Sequence, residues 1–275
     1  KLKRKQNNKN KTEKKNQKNG GQMSFLEHLE ELRWRLVRSA IAVVCIGIVI
    51  WIFQEWIMEN VFMSMKSSDF ISFRLMCQWF GTCVGDIPVQ LQSMTVSGQF
   101  GYALMMSFMG GLVLGFPFIF YQIWSFLKPG LKFKEKKMAK GIVFYVSFLF
   151  FLGISFGYLV VAPLSIQFFG SYQISPDIRN DFTISSYMST ILSTVFYTGL
   201  FFLLPVIIFL LSKVGLITPE FLKKYRKHAL VIILILSALI TPPDVISQII
   251  VSIPILFLYE IGILVSKRAS KKESE

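Results

Sequence analysis

Residues 141–162 read GIVFYVSFLFFLGISFGYLVVA, an apolar run of 22 residues without an acidic or basic side chain. An α-helix of about 20 mostly apolar residues crosses the hydrocarbon core of a bilayer, which is roughly 30 Å thick. The run therefore predicts an integral membrane protein. The composition of the whole chain agrees, because 53% of its 275 residues are apolar, more than is usual for a soluble domain.

Further apolar segments lie on both sides of this run. The last of them is divided by Pro242 and Pro243, because proline cannot donate a backbone hydrogen bond to a helix. The fifth segment has only 12 residues, or about 18 Å of helix, and we expect the fifth and sixth spans to be short. We predict an all-α, polytopic fold with six transmembrane helices, at residues 32–54, 100–127, 141–162 (ended by Pro163), 187–211, 229–240 and 246–265.

Three of the predicted spans contain an internal proline. Pro117, Pro205 and Pro254 should bend their helices. The fifth and sixth spans are short, so the wall of the bundle should be lower on the side that they form. We therefore expect a concave, cup-like bundle that opens sideways to lipid, and not a closed pore.

Basic residues are concentrated on one side of these spans. With the N-terminal tail included, 27 lysines and arginines lie on the side of the two termini. The opposite side carries Lys66, Arg74 and Arg179. Loops rich in lysine and arginine remain in the cytoplasm, so both termini are predicted to be cytoplasmic. An even number of spans predicts the same arrangement.

The composition divides the chain into three predicted regions. Residues 1–22 carry nine basic residues and one acid, and they are expected to form a disordered tail attracted to anionic lipid. No aromatic or glycine-rich pattern beside this tail indicates nucleic-acid binding. Met23 begins the first patterned segment, and a natural start there is left open. Residues 23–267 form the predicted six-span domain, and residues 268–275 form a cytoplasmic tail.

The three cysteines and two histidines do not have the spacing of a metal site, so neither a metal nor a cofactor is predicted. Cys77 and Cys83 lie in one predicted outer loop. Five intervening residues and an oxidising compartment permit a disulfide between them. Two buried free thiols are the alternative.

Ionisable residues are almost absent from the predicted spans, where Asp244 and Glu260 lie close to the ends. Pumps and proton-coupled carriers place such groups deep in the membrane. The chain also has no nucleotide-binding, nucleophile-elbow or zinc-protease motif. A small-solute transporter or channel and a membrane-embedded enzyme are therefore the less favoured alternatives.

The polar groups of interest lie at the predicted cytoplasmic surface. Glu27, Glu31 and Arg35 share one face of a predicted helix. Glu135 is the only acid in a loop with six lysines. Each has an ordinary structural explanation, which is an ion pair within the helix for the first group and a local salt bridge for the second.

Three motifs occur in order: HLEELR at residues 28–33, FLKPGL followed by KEKK at residues 126–137, and TPPDVISQ at residues 241–248. In sequence and spacing they closely resemble the TatC family, the multispan receptor subunit of the twin-arginine protein translocase. The resemblance covers nearly all of residues 24–267, and the number of spans and the short fifth and sixth spans match as well.

The resemblance implies a signal-peptide receptor and not an enzyme. Glu31 and Glu135 match the two glutamates that receive the paired arginines of a signal peptide. A carboxylate suits a guanidinium because it accepts two parallel charge-assisted hydrogen bonds, which lysine cannot reproduce. Phe126 matches an aromatic residue beside this site, and Arg33 matches the arginine that ends the first motif.

The same resemblance implies partners and a location. Single-span helices of the TatA or TatB type are expected to dock at Thr241, Asp244 and Gln248. The expected setting is the bacterial cytoplasmic (inner) membrane, where folded proteins are exported at the expense of the proton motive force. The chain is also expected to form a homo-oligomer within the assembled receptor complex.

One position departs from the family pattern. Where the family commonly has Glu or Gln in the fourth span, two residues before the proline, this chain has Leu203. The first outer loop is also longer than in many relatives, so no family residue is transferred to it.

Overall fold

The computed structural model describes residues 25–81, 83, 85–87, 90–127, 141–175, 181–240 and 245–271. The predicted tail at residues 1–22 lies outside this part of the chain. In chain order, the α-helices are α1 Phe25–Ile52, α2 Gln54–Ile57, α3 Ile71–Phe80, α4 Gly98–Leu127, α5 Ile142–Phe156, α6 Ala162–Ser171, α7 Ile184–Phe201, α8 Leu204–Lys213, α9 Pro219–Lys224, α10 Arg226–Ile240 and α11 Val245–Lys271. The strands are β1 Gln90–Gln92 and β2 Asp181–Thr183, and shorter helical turns cover Met58–Phe62, Met63–Lys66 and Gly157–Val161.

Long apolar helices dominate the fold, which confirms the predicted all-α, polytopic membrane architecture. Within the described residues, five helical segments are long and apolar enough to cross a membrane: His28–Ile52, Gly98–Leu127, Ile142–Ser171, Ile184–Lys213 and Gln248–Arg268. The predicted fifth span lies in α10, which has 15 residues and is too short to be counted with these five. The count of six spans and the cup-like shape therefore stay predictions.

Helices α1 and α4 pack in antiparallel orientation with their backbones in close approach. A Cβ atom placed on Gly111 would lie 2.6 Å from the carbonyl oxygen of Val43, and one on Gly47 would lie 3.1 Å from that of Ser107. Small residues permit such close packing of helices in a membrane, where the hydrophobic effect does not drive helices together. This contact joins the C-terminal half of α1 to the N-terminal half of α4. Because the helices are antiparallel, the N-terminal end of α1 then lies beside the C-terminal end of α4.

The prediction that Pro163 ends the third span is wrong. The helical path continues from α5 through the wide turn Gly157–Val161 into α6, where Pro163 lies in the first turn. A proline there leaves the carbonyl four residues earlier without its usual donor. That carbonyl belongs to Leu159, and the hydroxyl of Ser72 from α3 donates a hydrogen bond to it. A donor from another helix thus replaces the missing N–H group.

The other prolines differ in their effect. Pro205 lies in the first turn of α8, and a break at Phe202 and Leu203 separates α8 from α7. Pro117 and Pro254 lie inside the continuous helices α4 and α11. The bend that each causes stays a prediction.

The two predicted outer loops pack together at one end of the bundle, which we call the α3 end. Strands β1 and β2 pair in parallel, with Gln90 opposite Asp181. Two hydroxyls from the membrane helices fasten the first loop, because Tyr158 donates to the carbonyl of Val61 at 2.8 Å and Tyr187 donates to that of Phe62 at 2.5 Å. Around them the apolar side chains form a buried core.

Two further bonds close the first outer loop on itself. The Ser68 N–H donates to Asp86 Oδ1 at 2.7 Å, and this bond holds the pKa of the Asp86 carboxyl below its usual value. A disulfide joins Cys77 at the end of α3 to Cys83, with their Cα atoms 4.3 Å apart. The alternative of two free thiols is not what the structure has.

Helices α8 to α11 form a second packed group. Tyr259 of α11 donates to the carbonyl of Leu222 in α9 at 2.9 Å, and the hydroxyls of Ser212 and Ser266 lie 2.7 Å apart. These polar contacts between apolar helices tie α9 and α8 to α11.

Candidate functional site

The candidate site begins with an ion pair at the N-terminal end of α1. Arg35 donates through Nε and Nη2 to a single oxygen, Glu31 Oε1, at 3.0 and 2.5 Å. Residues four apart lie on the same face of a helix, so the predicted ion pair within the helix is confirmed. The pair is partly buried, since 25% of the Glu31 side chain and 21% of the Arg35 side chain are exposed.

The second helix of the site is α4, whose last turns lie beside Glu31. Arg35 Nη1 donates to Oε1 of Gln122 at 3.4 Å. Gln122 is buried, with 6% of its surface exposed, so the amide is fixed in position. The guanidinium is thus held between a carboxylate on α1 and an amide on α4.

An aromatic contact joins the same two helices one turn further out. The rings of His28 and Phe126 stack with their centroids 4.1 Å apart and their planes at 15°. Phe126 lies in the last turn of α4, directly before the loop that carries Glu135. The stack therefore holds the last turn of α4 against the first turns of α1, one turn from Glu31.

Glu31 offers one oxygen that no described residue binds. Its Oε2 atom is buried and has no hydrogen-bond partner within the described residues, whereas Oε1 receives both bonds from Arg35. A cavity of about 350 Å³ lies here, lined by Glu30, Glu31, Trp34, Arg35 and Arg38. A buried carboxylate oxygen without a donor is energetically unfavourable, so the site is suited to accept one from outside.

Arg33 faces away from this arrangement. Its guanidinium pairs with Glu30 at 3.7 Å, and both side chains are more than 60% exposed. It also lies over the ring of Trp34, 5.7 Å from the centroid. Arg33 is not one of the residues that line the cavity, and its predicted part in peptide binding stays a prediction.

Several predicted site residues lie outside the described part of the chain. Glu135, Thr241 and Asp244 are among them, so the separation of the two predicted receptor glutamates is not part of the geometry above.

Gln248, the remaining predicted docking residue, has a partner within the chain. Its amide nitrogen donates to the carbonyl of Leu234 in α10 at 2.9 Å. A bond to a neighbouring span was the alternative to a docked partner for this amide. The bond joins α10 to α11, and docking at Gln248 stays a prediction.

Sequence reasoning missed Gln122 as a member of the site. Its contact with Arg35 joins residues 87 positions apart, and no local pattern indicates such a pairing. The only signal in the sequence is a lone amide in an otherwise apolar span, which is expensive in a membrane unless it has a partner.

The family model for the Sec-independent protein translocase protein (TatC) matches residues 27–254. The chain belongs to the TatC family. It is 39% identical to the Sec-independent protein translocase protein TatC of Blattabacterium sp. subsp. Periplaneta americana (strain BPLAN), over 94% of this chain and 100% of that protein. It is 33% identical to the Sec-independent protein translocase protein TatCy of Bacillus subtilis (strain 168), over 91% of each chain.

A solved structure gives the same assignment. The crystal structure of the twin arginine translocase receptor TatC superposes with a TM-score of 0.67 at 29% identity, over 89% of this chain and 100% of that chain. As a TatC protein, the chain is a core subunit of the twin-arginine translocase, a multi-pass membrane protein and not an enzyme. The alternatives of a small-solute transporter and a membrane-embedded enzyme are thereby set aside.

Proposed function

We propose that this TatC chain is the signal-peptide receptor of the translocase and binds twin-arginine peptides at the cytoplasmic face. Glu31 and Glu135 accept the two arginines, Phe126 and Arg33 flank them, and both termini lie in the cytoplasm of a bacterium with the chain in its inner membrane. The solved relative is itself described as a twin arginine translocase receptor, which supports this role.

One observation carries the proposal, namely the state of the Glu31 carboxylate. Its buried Oε2 has no donor within the described residues, and Glu31 lines a cavity open to a ligand. A guanidinium N–H satisfies such an oxygen by a charge-assisted bond. Since Arg35 occupies Oε1, the incoming arginine takes Oε2 alone or displaces Arg35 to form the bidentate pair predicted above.

The proposed orientation rests on the charge distribution. The His28 end of α1 is the end from which the basic N-terminal tail extends, and Lys223, Lys224 and Lys227 lie at or just after α9. Basic loops remain in the cytoplasm. The disulfide at the α3 end agrees, because disulfides persist on the oxidising side of the membrane.

Assembly with single-span TatA- or TatB-type partners is proposed near the start of α11, where Thr241, Asp244 and Gln248 match the docking positions of the family. Because the amide nitrogen of Gln248 already bonds to Leu234, Gln248→Leu is expected to weaken both the α10–α11 contact and partner binding. If the partners co-purify with this variant as well as with the wild type, the docking role of Gln248 is wrong.

The receptor role is tested by peptide binding to membranes that contain the chain. Glu31→Ala or Glu135→Ala should leave insertion unchanged and weaken twin-arginine binding. Loss of a charge-assisted bond costs about 1.5–3 kcal/mol, or roughly tenfold to a hundredfold in affinity. The exposed quarter of Glu31 reduces this effect. A twin-lysine peptide should bind weakly to the wild type.

Glu55→Ala is the matched control. Glu55 is an exposed acid in α2, which follows the C-terminal end of α1 and is therefore far from Glu31. The substitution removes the same charge without touching the site. Equal binding of the twin-arginine peptide by the wild type and by the Glu31→Ala/Glu135→Ala double variant would refute the receptor assignment.

A further inference from the structure

Helix α3 has an apolar face that no other part of the described protein covers. Ile71, Leu75 and Trp79 follow one another at intervals of four residues and therefore lie on one side of the helix. Their exposed fractions are 57%, 49% and 79%. On the opposite side, Phe73 is packed inside the protein and is 1% exposed. Helix α3 is thus apolar on two sides, of which only one is used inside the protein.

An apolar groove of about 300 Å³ runs along this face. Its other wall comes from the third membrane segment, through Leu159, Val160, Pro163 and Leu164. The polar side-chain groups of the lining are the Ser72 hydroxyl, which already donates to the Leu159 carbonyl, and the indole N–H at the edge of the Trp79 ring. The rest of the lining is apolar, and it suits hydrocarbon.

The groove continues an exposed face of the membrane-spanning segment itself. Phe144, Phe148 and Leu152 are 71%, 56% and 47% exposed and follow one another at four-residue intervals. Leu159 and Pro163 lie two and three turns beyond Leu152 on the same helical path. A spanning helix that exposes such a face contacts lipid, so the groove opens directly onto the region of the acyl chains.

We propose that α3 lies in the membrane interface and that its groove binds an acyl chain of a phospholipid in the leaflet at the α3 end. Tryptophan is favoured at this depth, where its ring meets the headgroup region. Arg74 is exposed beside the stripe of Ile71, Leu75 and Trp79. Its guanidinium reaches the lipid phosphate while the stem lies along the apolar face.

This placement gives the α3 end a fixed depth in the bilayer. Ser72 joins α3 to the third span, and the disulfide between Cys77 and Cys83 closes its far end. The helix is therefore held from both ends while its outer face is left to lipid. The proposal concerns the end of the molecule opposite the peptide site and is independent of peptide binding.

The test is quenching of Trp79 fluorescence in the full chain reconstituted into phosphatidylcholine vesicles. The emission of Trp79 is taken as the difference between the wild type and Trp79→Phe. We expect it to fall in vesicles whose acyl chains are brominated near the headgroup end, and to fall less when the bromines are near the methyl end. Leu75→Gln, which makes the middle of the stripe polar, should reduce this quenching.

Trp124 provides the matched control, because it is 6% exposed and packs against Phe120 inside the bundle. Its emission, obtained in the same way with Trp124→Phe, should be nearly unaffected by brominated lipid. Equal Trp79 emission in brominated and unbrominated vesicles would overturn the proposal. The proposal would also be overturned if Trp79 were quenched only after the protein is highly diluted in lipid. That result would mean that, at ordinary protein density, a second copy of the chain covers the stripe.

Discussion

At the scale of single residues, Arg35 and the arginine of the proposed ligand compete for one carboxylate, that of Glu31. Arg35 belongs to the same chemical class as the proposed ligand and already occupies Oε1 of Glu31. Its positive charge lies within a few ångströms of where the ligand guanidinium would bind, and like charges at that distance repel. In the proposed receptor, Arg35 thus competes with the ligand arginine for Glu31.

We therefore predict that Arg35→Gln raises the affinity for both twin-arginine and twin-lysine peptides severalfold and narrows the difference between them. The freed carboxylate attracts any cation by charge, whereas in the wild type only a well-aligned ligand competes with Arg35. Titration of both peptides into the same membranes measures this. A loss of twin-arginine binding would contradict the prediction and would indicate that Arg35 acts mainly by holding Glu31 in position.

The ion pair at Glu31 and Arg35 could be predicted from the sequence because it lies within one helical turn. The bond from Arg35 to Gln122 could not, because it depends on how α1 packs against α4. The same holds for the stack of His28 on Phe126. The contact within one helix can thus be predicted from the sequence, whereas the contacts between α1 and α4 depend on how the two helices pack.

At the scale of helices, the contact between α1 and α4 depends on glycine. A methyl group on Gly111 would lie 2.6 Å from the carbonyl oxygen of Val43, so the helices would have to separate. We predict that Gly111→Ala lowers the stability of the protein in detergent, since overpacking costs about 1–3 kcal/mol. Thermal unfolding of the purified chain measures the effect.

Gly101→Ala is the control for that measurement, because it lies in the same helix and a methyl group there would meet nothing within 4 Å. It should unfold at or slightly above the wild-type temperature, since alanine favours helix more than glycine does. Equal destabilisation by both substitutions would show that the close approach of the helices is not the cause.

A second helix-scale prediction concerns Pro163 and its substitute donor. Ser72→Ala leaves the Leu159 carbonyl without the donor that the structure gives it, which should cost about 1–3 kcal/mol. Adding Pro163→Ala should restore much of this, because the alanine N–H then donates to Leu159 within the helix. Unfolding of the two single variants and the double variant forms the thermodynamic cycle. Additive losses would contradict the proposed exchange of donors.

The sequence predicts the long helices well and the elements between them poorly. The second predicted span, residues 100–127, lies within α4 Gly98–Leu127, because its apolar run is long and bounded by polar residues. The third span was predicted to end too early, since the rule that proline ends a helix ignores a donor from another segment. Helix α3 and the strands β1 and β2 carry no strong local signal, and they form through contacts with distant segments.

At the scale of the whole molecule, the disulfide gives a test of orientation. Cys77 and Cys83 are joined and Cys45 is a free thiol on an exposed face of α1. When the chain is unfolded in detergent without reductant, we predict that a thiol reagent labels Cys45 alone; in the membrane Cys45 lies within the first apolar segment, where a thiol reacts slowly. After reduction, an impermeant reagent should reach Cys77 and Cys83 in spheroplasts but not in inverted vesicles. Labelling of both from the cytoplasmic side would contradict the proposed orientation.

The parallel pairing of β1 with β2 has a consequence for the order in which the protein is made. The paired residues Gln90 and Asp181 are 91 positions apart, and α4, α5 and α6 lie between the two strands in the chain. At about 5–20 residues per second, the ribosome delivers β2 roughly 5–20 s after β1. During that interval the first strand waits without its partner while two membrane segments are inserted. The sheet is thus closed late in biogenesis, and its formation reports that the intervening helices have crossed the bilayer.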